Sequence, residues 1–198
     1  MPCSSSPWHS RGYLPHFDSS GFVQLVSFRL ADSLPRHVMR AVEGEQDDVT
    51  RFWRKEKETD AGHGACYLRR SDVAETVERS LLFDDDALYR LLAWVVMPNH
   101  VHVLLEMKDT KSLSTIVQRW KGSTAHKANR LLCRTGRFWY PDYHDRYIRN
   151  EEHFRKARNY VEQNPARAKL CLTARQWPWS SARRRLPALA GRGRPPTQ

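Results

Sequence analysis

The sequence predicts an α+β domain in which helices cover an antiparallel sheet, and three observations carry the prediction. Tyr89 to Met97 and Val101 to Glu106 are apolar, β-prone runs broken by Pro98 and Asn99, the pattern of a hairpin or a kinked entry to the second strand. Around them the periodicities run strand, helix, helix, strand, strand, helix, strand, helix, so helices interleave with strands that are not consecutive. The 198 residues and a 40% apolar share suit one modest core rather than two.

Taken in order, residues 1–20 are rich in Ser, Pro, His and Gly and read as a flexible lead-in. Phe22, Gln24, Val26, Phe28 and Leu30 then alternate with Val23, Leu25, Ser27 and Arg29, a strand buried on at least one face. Helical spacing follows from Leu34 to about Phe52, with Pro35 tolerated in the first turn. Gly62 and Gly64 mark a loop. Ser71 and Asp72 offer N-caps for a helix through Val73, Val77 and Leu81. After the hairpin, Leu113, Ile116, Val117, Trp120 and Ala125 recur at helical spacing, which reads Trp120 as buried. Arg137 to Ile148 is aromatic-rich and reads as a strand with loops. Asn150 or Glu151 opens a helix through Phe154, Ala157, Tyr160 and Val161 that Pro165 stops. The last stretch, 184–198, reads as a basic disordered tail.

Charge narrows the partner. With 33 Lys and Arg against 22 Asp and Glu, the formal net charge of +11 attracts phosphate backbones and anionic membranes alike. Apolar runs such as Leu91 to Met97 fall short of the roughly 20 residues that span a bilayer. The first residues also lack the apolar stretch of a signal peptide. Nucleic acid is the expected partner, no membrane is, and a cytoplasmic, nucleoid-associated location follows. Cys3, Cys66, Cys133 and Cys171 form no C-x-x-C pair and are expected to be reduced thiols without a role.

His100 and His102 are two apart in an apolar strand, so both imidazoles project from one face. Two neutral imidazoles so placed can hold one divalent ion, which would act as a Lewis acid on a phosphoryl oxygen. In RKARNYVEQNP, Tyr160 and Asn164 are four apart on one helical face. A phenol there is a candidate nucleophile, and an amide oxygen suits Mg2+ or Mn2+. Spacing alone does not choose Tyr160 over Tyr140, Tyr143 and Tyr147. Lys156, one turn earlier, reads as a solvated surface lysine. For a single strand, Lys121, Arg137, Arg146 and Arg149 are candidate phosphate contacts around the aromatic segment. The tail arginines Arg183, Arg184, Arg185, Arg192 and Arg194 would add affinity without sequence preference.

The segments WVVMPNHVHVLLE, WKGSTA, FWYPDYHDRYIRNEEHF, YVEQNPARA and WPWSSAR, in that order, resemble the REP-associated tyrosine transposases, relatives of the IS200/IS605 single-tyrosine enzymes of the HUH superfamily. The likeness runs from about Gly12 to Arg183. It implies a ferredoxin-like (RRM-like) sheet with the HUH histidines, His100 and His102, on a central strand, and a catalytic domain over 21–183. It further implies Tyr160 as nucleophile, Asn164 as the third metal ligand, Mg2+ or Mn2+ as cofactor, and single-stranded or hairpin DNA as substrate. A 5′-phosphotyrosine intermediate would let a broken strand be rejoined. Members act as monomers or dimers, so the resemblance leaves the assembly open. The alternatives are a hairpin-binding protein without catalysis and a metal-dependent nuclease that uses HVH to activate water.

Overall fold

The computed structural model describes residues 8–10, 15–17, 21–108 and 111–184. Four strands form one antiparallel sheet: β3 (Val23–Arg29), β4 (Tyr89–Val96), β5 (His100–Met107) and β6 (His144–Tyr147), in the order β4-β5-β3-β6. The expected α+β architecture is present, and β5, with β4 and β3 on either side, is a central strand. Two three-residue strands, β1 (Trp8–Ser10) and β2 (Pro15–Phe17), pair antiparallel inside the expected flexible lead-in. Each carries one aromatic, β-prone residue, Trp8 and Phe17, which a reading of Ser and Pro content passes over. The tail expected to be disordered lies outside the described residues from 185 on, with three of its four arginines.

The pleat divides β5 between two environments. Val101, Val103, Leu105 and Met107 join Val26, Phe28 and Leu30 of β3 in a core covered by α3 (Ser71–Phe83) and α4 (Leu113–Leu131). Leu104 joins Val23 and Leu25 under α5 (Glu151–Arg167), and His100 and His102 share its face. A bulge at Leu92 lets β4 keep both faces apolar, with Trp94 and Val96 on one side and Val95 and Met97 on the other. Trp120 is 1% exposed, as its helical position requires.

Several boundaries differ from the sequence reading. The helix expected from Leu34 to Phe52 is two helices, α1 (Arg36–Glu43) and α2 (Asp48–Asp60). Gly44 ends the first, and Asp47 caps the second by accepting a hydrogen bond from the Thr50 N–H at 2.7 Å. At α3 the N-cap is Arg70, and Ser71 and Asp72 already lie in the helix. The fourth strand covers only His144–Tyr147 of the aromatic segment. Nor does Pro165 stop α5, because in the last turn its missing N–H forfeits a single bond. The Ala168 N–H still reaches the Asn164 carbonyl at 2.9 Å. A short helix, α6 (Ser181–Arg184), closes the described chain.

Candidate active site

The site lies on the sheet face that α2 and α5 cover, and the hairpin turn builds its frame. Asn99 donates through its Nδ2 to the carbonyls of Thr59, at 2.9 Å, and His63, at 3.2 Å, which ties the C-terminal end of α2 to the start of β5. The loop after α2 returns close to the sheet at Gly64, where φ is +83° and a Cβ would lie 2.5 Å from the Asp32 carbonyl oxygen. Because the Asn99 amide nitrogen is spent on carbonyls, its Oδ1 faces His100 Nδ1 at 2.8 Å and must accept. His100 therefore carries its proton on Nδ1, and its Nε2 lone pair is bare. His102 Nδ1 is likewise occupied, by the Ser27 hydroxyl at 2.7 Å.

Both Nε2 atoms point at carboxylates of α2. His102 Nε2 lies 3.2 Å from Glu56 Oε2, and His100 Nε2 lies 3.4 Å from Asp60 Oδ1. These contacts are not ion pairs. Burial lowers both imidazoles, His100 well below the usual range with His102 adding to the effect, and His102 to about 3 with Arg167 adding to it. The bare Nε2 of neutral His100 neither donates to nor accepts from the carboxylate it faces. His100 Nε2, His102 Nε2 and Asp60 Oδ1 accordingly have no hydrogen-bond partner. Burial also pushes Glu56 and Asp60 up to about 7, opposed at Glu56 by the Tyr160 hydrogen bond and reinforced at Asp60 by Glu56.

Tyr160 closes the cluster from α5. Its hydroxyl donates to Glu56 Oε2, and its ring stands 5.2 Å from that of His102. Burial first, then the neighbouring Glu56 carboxylate, raises its pKa well above the ordinary phenol value. Arg167, at the end of the same helix, lies 5.3 Å from the ring centroid and opposes that rise. Asn164 is 1% exposed and neither its Oδ1 nor its Nδ2 has a partner. A buried amide left so is costly unless something outside the chain meets it.

Glu56, His100 and His102 present ligand atoms within 4.8 Å of one another. Two bare imidazole nitrogens and a carboxylate oxygen are a sound donor set for a divalent cation, and binding would satisfy the orphaned atoms together. The residues fit a metal on that ground.

The expected phosphate contacts divide. Arg146 and Arg149 are exposed and line a groove that ends on Tyr160. Arg137 is exposed elsewhere, in the loop beside Phe138. Lys121 is not free: its ammonium donates to the carbonyls of Pro141, at 2.7 Å, and Asp142, at 3.2 Å. Lys156 pairs with Glu152 at 2.6 Å on the surface, as a solvated lysine would. Arg184 of the basic run is held by Glu78 at 2.8 Å. Glu56, Asp60, Trp53 and Arg167 were not legible as site residues. A helix ended at Phe52 hid the first two, although Phe52, Glu56 and Thr59 fall on one buried helical face.

Among the described residues no helix is long and apolar enough to cross a membrane. No curated protein matches the chain. Among solved structures, a REP-associated tyrosine transposase bound to a REP hairpin matches with a TM-score of 0.52 and 19% identity, over 85% of this chain and 81% of that one. A candidate transposase from Deinococcus radiodurans R1 matches with a TM-score of 0.38 and 17% identity, over 79% of this chain and 96% of that one. The first likeness concerns the fold. Residues 75–164 match the family model described as "Transposase IS200 like", a span that includes both histidines, Tyr160 and Asn164. Over residues 75–164 the chain is similar to the IS200-like transposases.

Proposed function

We propose that this protein is an IS200-like transposase that cuts and rejoins single-stranded DNA at REP-like hairpins, with Tyr160 as nucleophile and a Mg2+ or Mn2+ ion on His100 and His102. The observation that carries the reading is convergence. One buried carboxylate, Glu56, is hydrogen-bonded by the Tyr160 hydroxyl and faces Nε2 of His102, which has no hydrogen-bond partner. The hairpin target rests on the solved complex of a structural neighbour with a REP hairpin.

His100, His102 and Glu56 would hold the ion, with Asn164 as a further oxygen donor. Bound there it would polarise a phosphoryl oxygen. Asn99 and Ser27 orient the imidazoles through their Nδ1 atoms, as second partners of metal-binding histidines do. The Tyr160 hydroxyl attacks phosphorus as Glu56 Oε2, the acceptor of its hydrogen bond, takes the phenol proton. As the Oη–P bond forms, the P–O3′ bond breaks, and the departing oxygen takes a proton to leave a 3′-OH. Attack by a 3′-OH on the phosphotyrosine reverses these bonds and seals a strand. Arg167 supplies positive charge beside the same ring. A location in the cytoplasm, on the nucleoid, accompanies this reading.

Incubation with a labelled hairpin oligonucleotide and Mn2+, followed by a denaturing gel, tests it. A covalent protein–DNA band that Tyr160→Phe abolishes is the expected result. Free ends without a band would replace it with a water-activating nuclease.

A further inference from the structure

We infer that the groove beside Tyr160 is a nucleotide subsite, in which Trp53 stacks on the base next to the scissile phosphate and Arg146 and Arg149 hold the adjoining phosphates. The inference rests on the single-strand reading above and adds the side from which the strand reaches the tyrosine.

The groove holds about 400 Å3, within the range of small-molecule sites, and runs between α2, β6 and the start of α5 to end on Tyr160. Trp53 is the aromatic group in it that remains accessible, at 45% exposed. Its ring meets Tyr160 at a centroid distance of 5.6 Å and an interplanar angle of 83°, and Phe52 at 5.1 Å and 69°. Both contacts are edge-to-face, so no described ring lies flat on the indole. A base offers the flat π-face that such an indole takes up. In a duplex, both faces of a base are already covered by its neighbours. The strand at this step must therefore be unstacked.

The charge is complementary. Arg146 comes from β6 and Arg149 from the turn before α5, and neither is ion-paired among the described residues. Lys156 is partly neutralised by Glu152, the one carboxylate lining the groove. His153 reports the resulting field: after burial, the charges of Arg146, Arg149 and Lys156 lower its pKa. A positive groove with an open indole at its catalytic end suits a polyanion with detachable rings better than an apolar ligand or an acidic peptide.

The test is equilibrium binding by the full chain of a fluorescent hairpin oligonucleotide with single-stranded arms, over a salt series. Trp53→Leu is expected to weaken binding about tenfold with an unchanged salt slope, and Trp53→Tyr to restore most of it. The double variant Arg146→Ala, Arg149→Ala is expected to flatten the slope of log K against log salt by about 1.4, at about 0.7 per phosphate. A single abasic nucleotide moved along the arm should weaken wild type at one position and cost Trp53→Leu nothing further there. Wild-type affinity in Trp53→Leu, or equal losses at every abasic position, would overturn the subsite. Adduct formation is scored separately: its absence with the abasic pattern intact removes the transesterase reading and leaves the subsite standing.

Discussion

The two faces of the sheet use polar groups in opposite ways. Under α3 and α4 the buried indoles of Trp94, Trp120 and Trp139 and the Tyr89 hydroxyl are matched within the chain. The Trp120 indole N–H donates to the Tyr89 hydroxyl at 3.0 Å, and that hydroxyl donates to the Leu81 carbonyl at 2.5 Å. Trp139 donates to Thr124 Oγ1 at 2.9 Å, and Trp94 to Glu78 at 2.9 Å. Under α2 and α5, by contrast, His100, His102, Asp60 and Asn164 keep buried atoms with no partner. Unmatched polar atoms cost stability, so a fold keeps them where something outside the chain completes them. One face holds the molecule together and the other is built for what it binds.

Substitutions on the two faces should therefore separate stability from chemistry. The largest expected effect is Tyr160→Phe, which should reduce adduct formation to background while the melting temperature stays within a few degrees of wild type. Trp120→Ala, on the opposite face, should destabilise by about 3–5 kcal/mol in denaturant unfolding. A Trp120→Ala protein as stable as wild type would break the contrast. His102→Leu should abolish adduct at a smaller stability cost than Trp120→Ala, since the apolar side chain removes an unmatched buried nitrogen while it leaves the Ser27 hydroxyl without its partner.

Asn99→Ala should have a mixed effect, because Asn99 both ties α2 to the hairpin and sets the His100 tautomer. Divalent-ion affinity, read by calorimetry, should fall about 10- to 100-fold, with a stability loss of about 1–3 kcal/mol. The carboxylates supply a pH signature. Glu56 and Asp60 bind protons more tightly in the fold, to about pH 7, than their ordinary values of 4.5 and 3.8 allow. Without metal, stability should thus fall as pH rises from about 4 to 7 and level off above. Mn2+ needs the ionised forms, so its stabilisation should be larger at pH 8 than at pH 5.5, as thermal melts would read. The smallest effect belongs to Lys121→Met. With its ammonium bound to two carbonyls, the change should leave single-strand affinity within about twofold and lower stability slightly.

Much of this was legible in one dimension, and what was not has a common cause. Alternation across His100, Val101, His102 and Val103 determined that both imidazoles share a face, because a strand's side chains have a fixed period of two. The four-residue spacing of Tyr160 and Asn164 did the same on a helix, and the order of segments pointed to Tyr160 among the tyrosines. Helix ends were less legible. Gly44 broke a helix that looked continuous, and Pro165 failed to break one, since the cost of each depends on which hydrogen bonds are already absent.

The sequence by itself determined the sheet-and-helix architecture, the histidine pair and the phenol, all of which rest on local period and chemistry. Only the tertiary structure decided that Glu56 meets Tyr160 across 104 residues of chain. The same holds for Asn99, which docks α2 beside His100, and for Lys121, which is spent on a loop while Arg146 and Arg149 line the groove that ends on Tyr160. Periodicity reports which way a side chain points from its own element; which element it meets depends on how the layers pack, and no spacing along the chain encodes that distance.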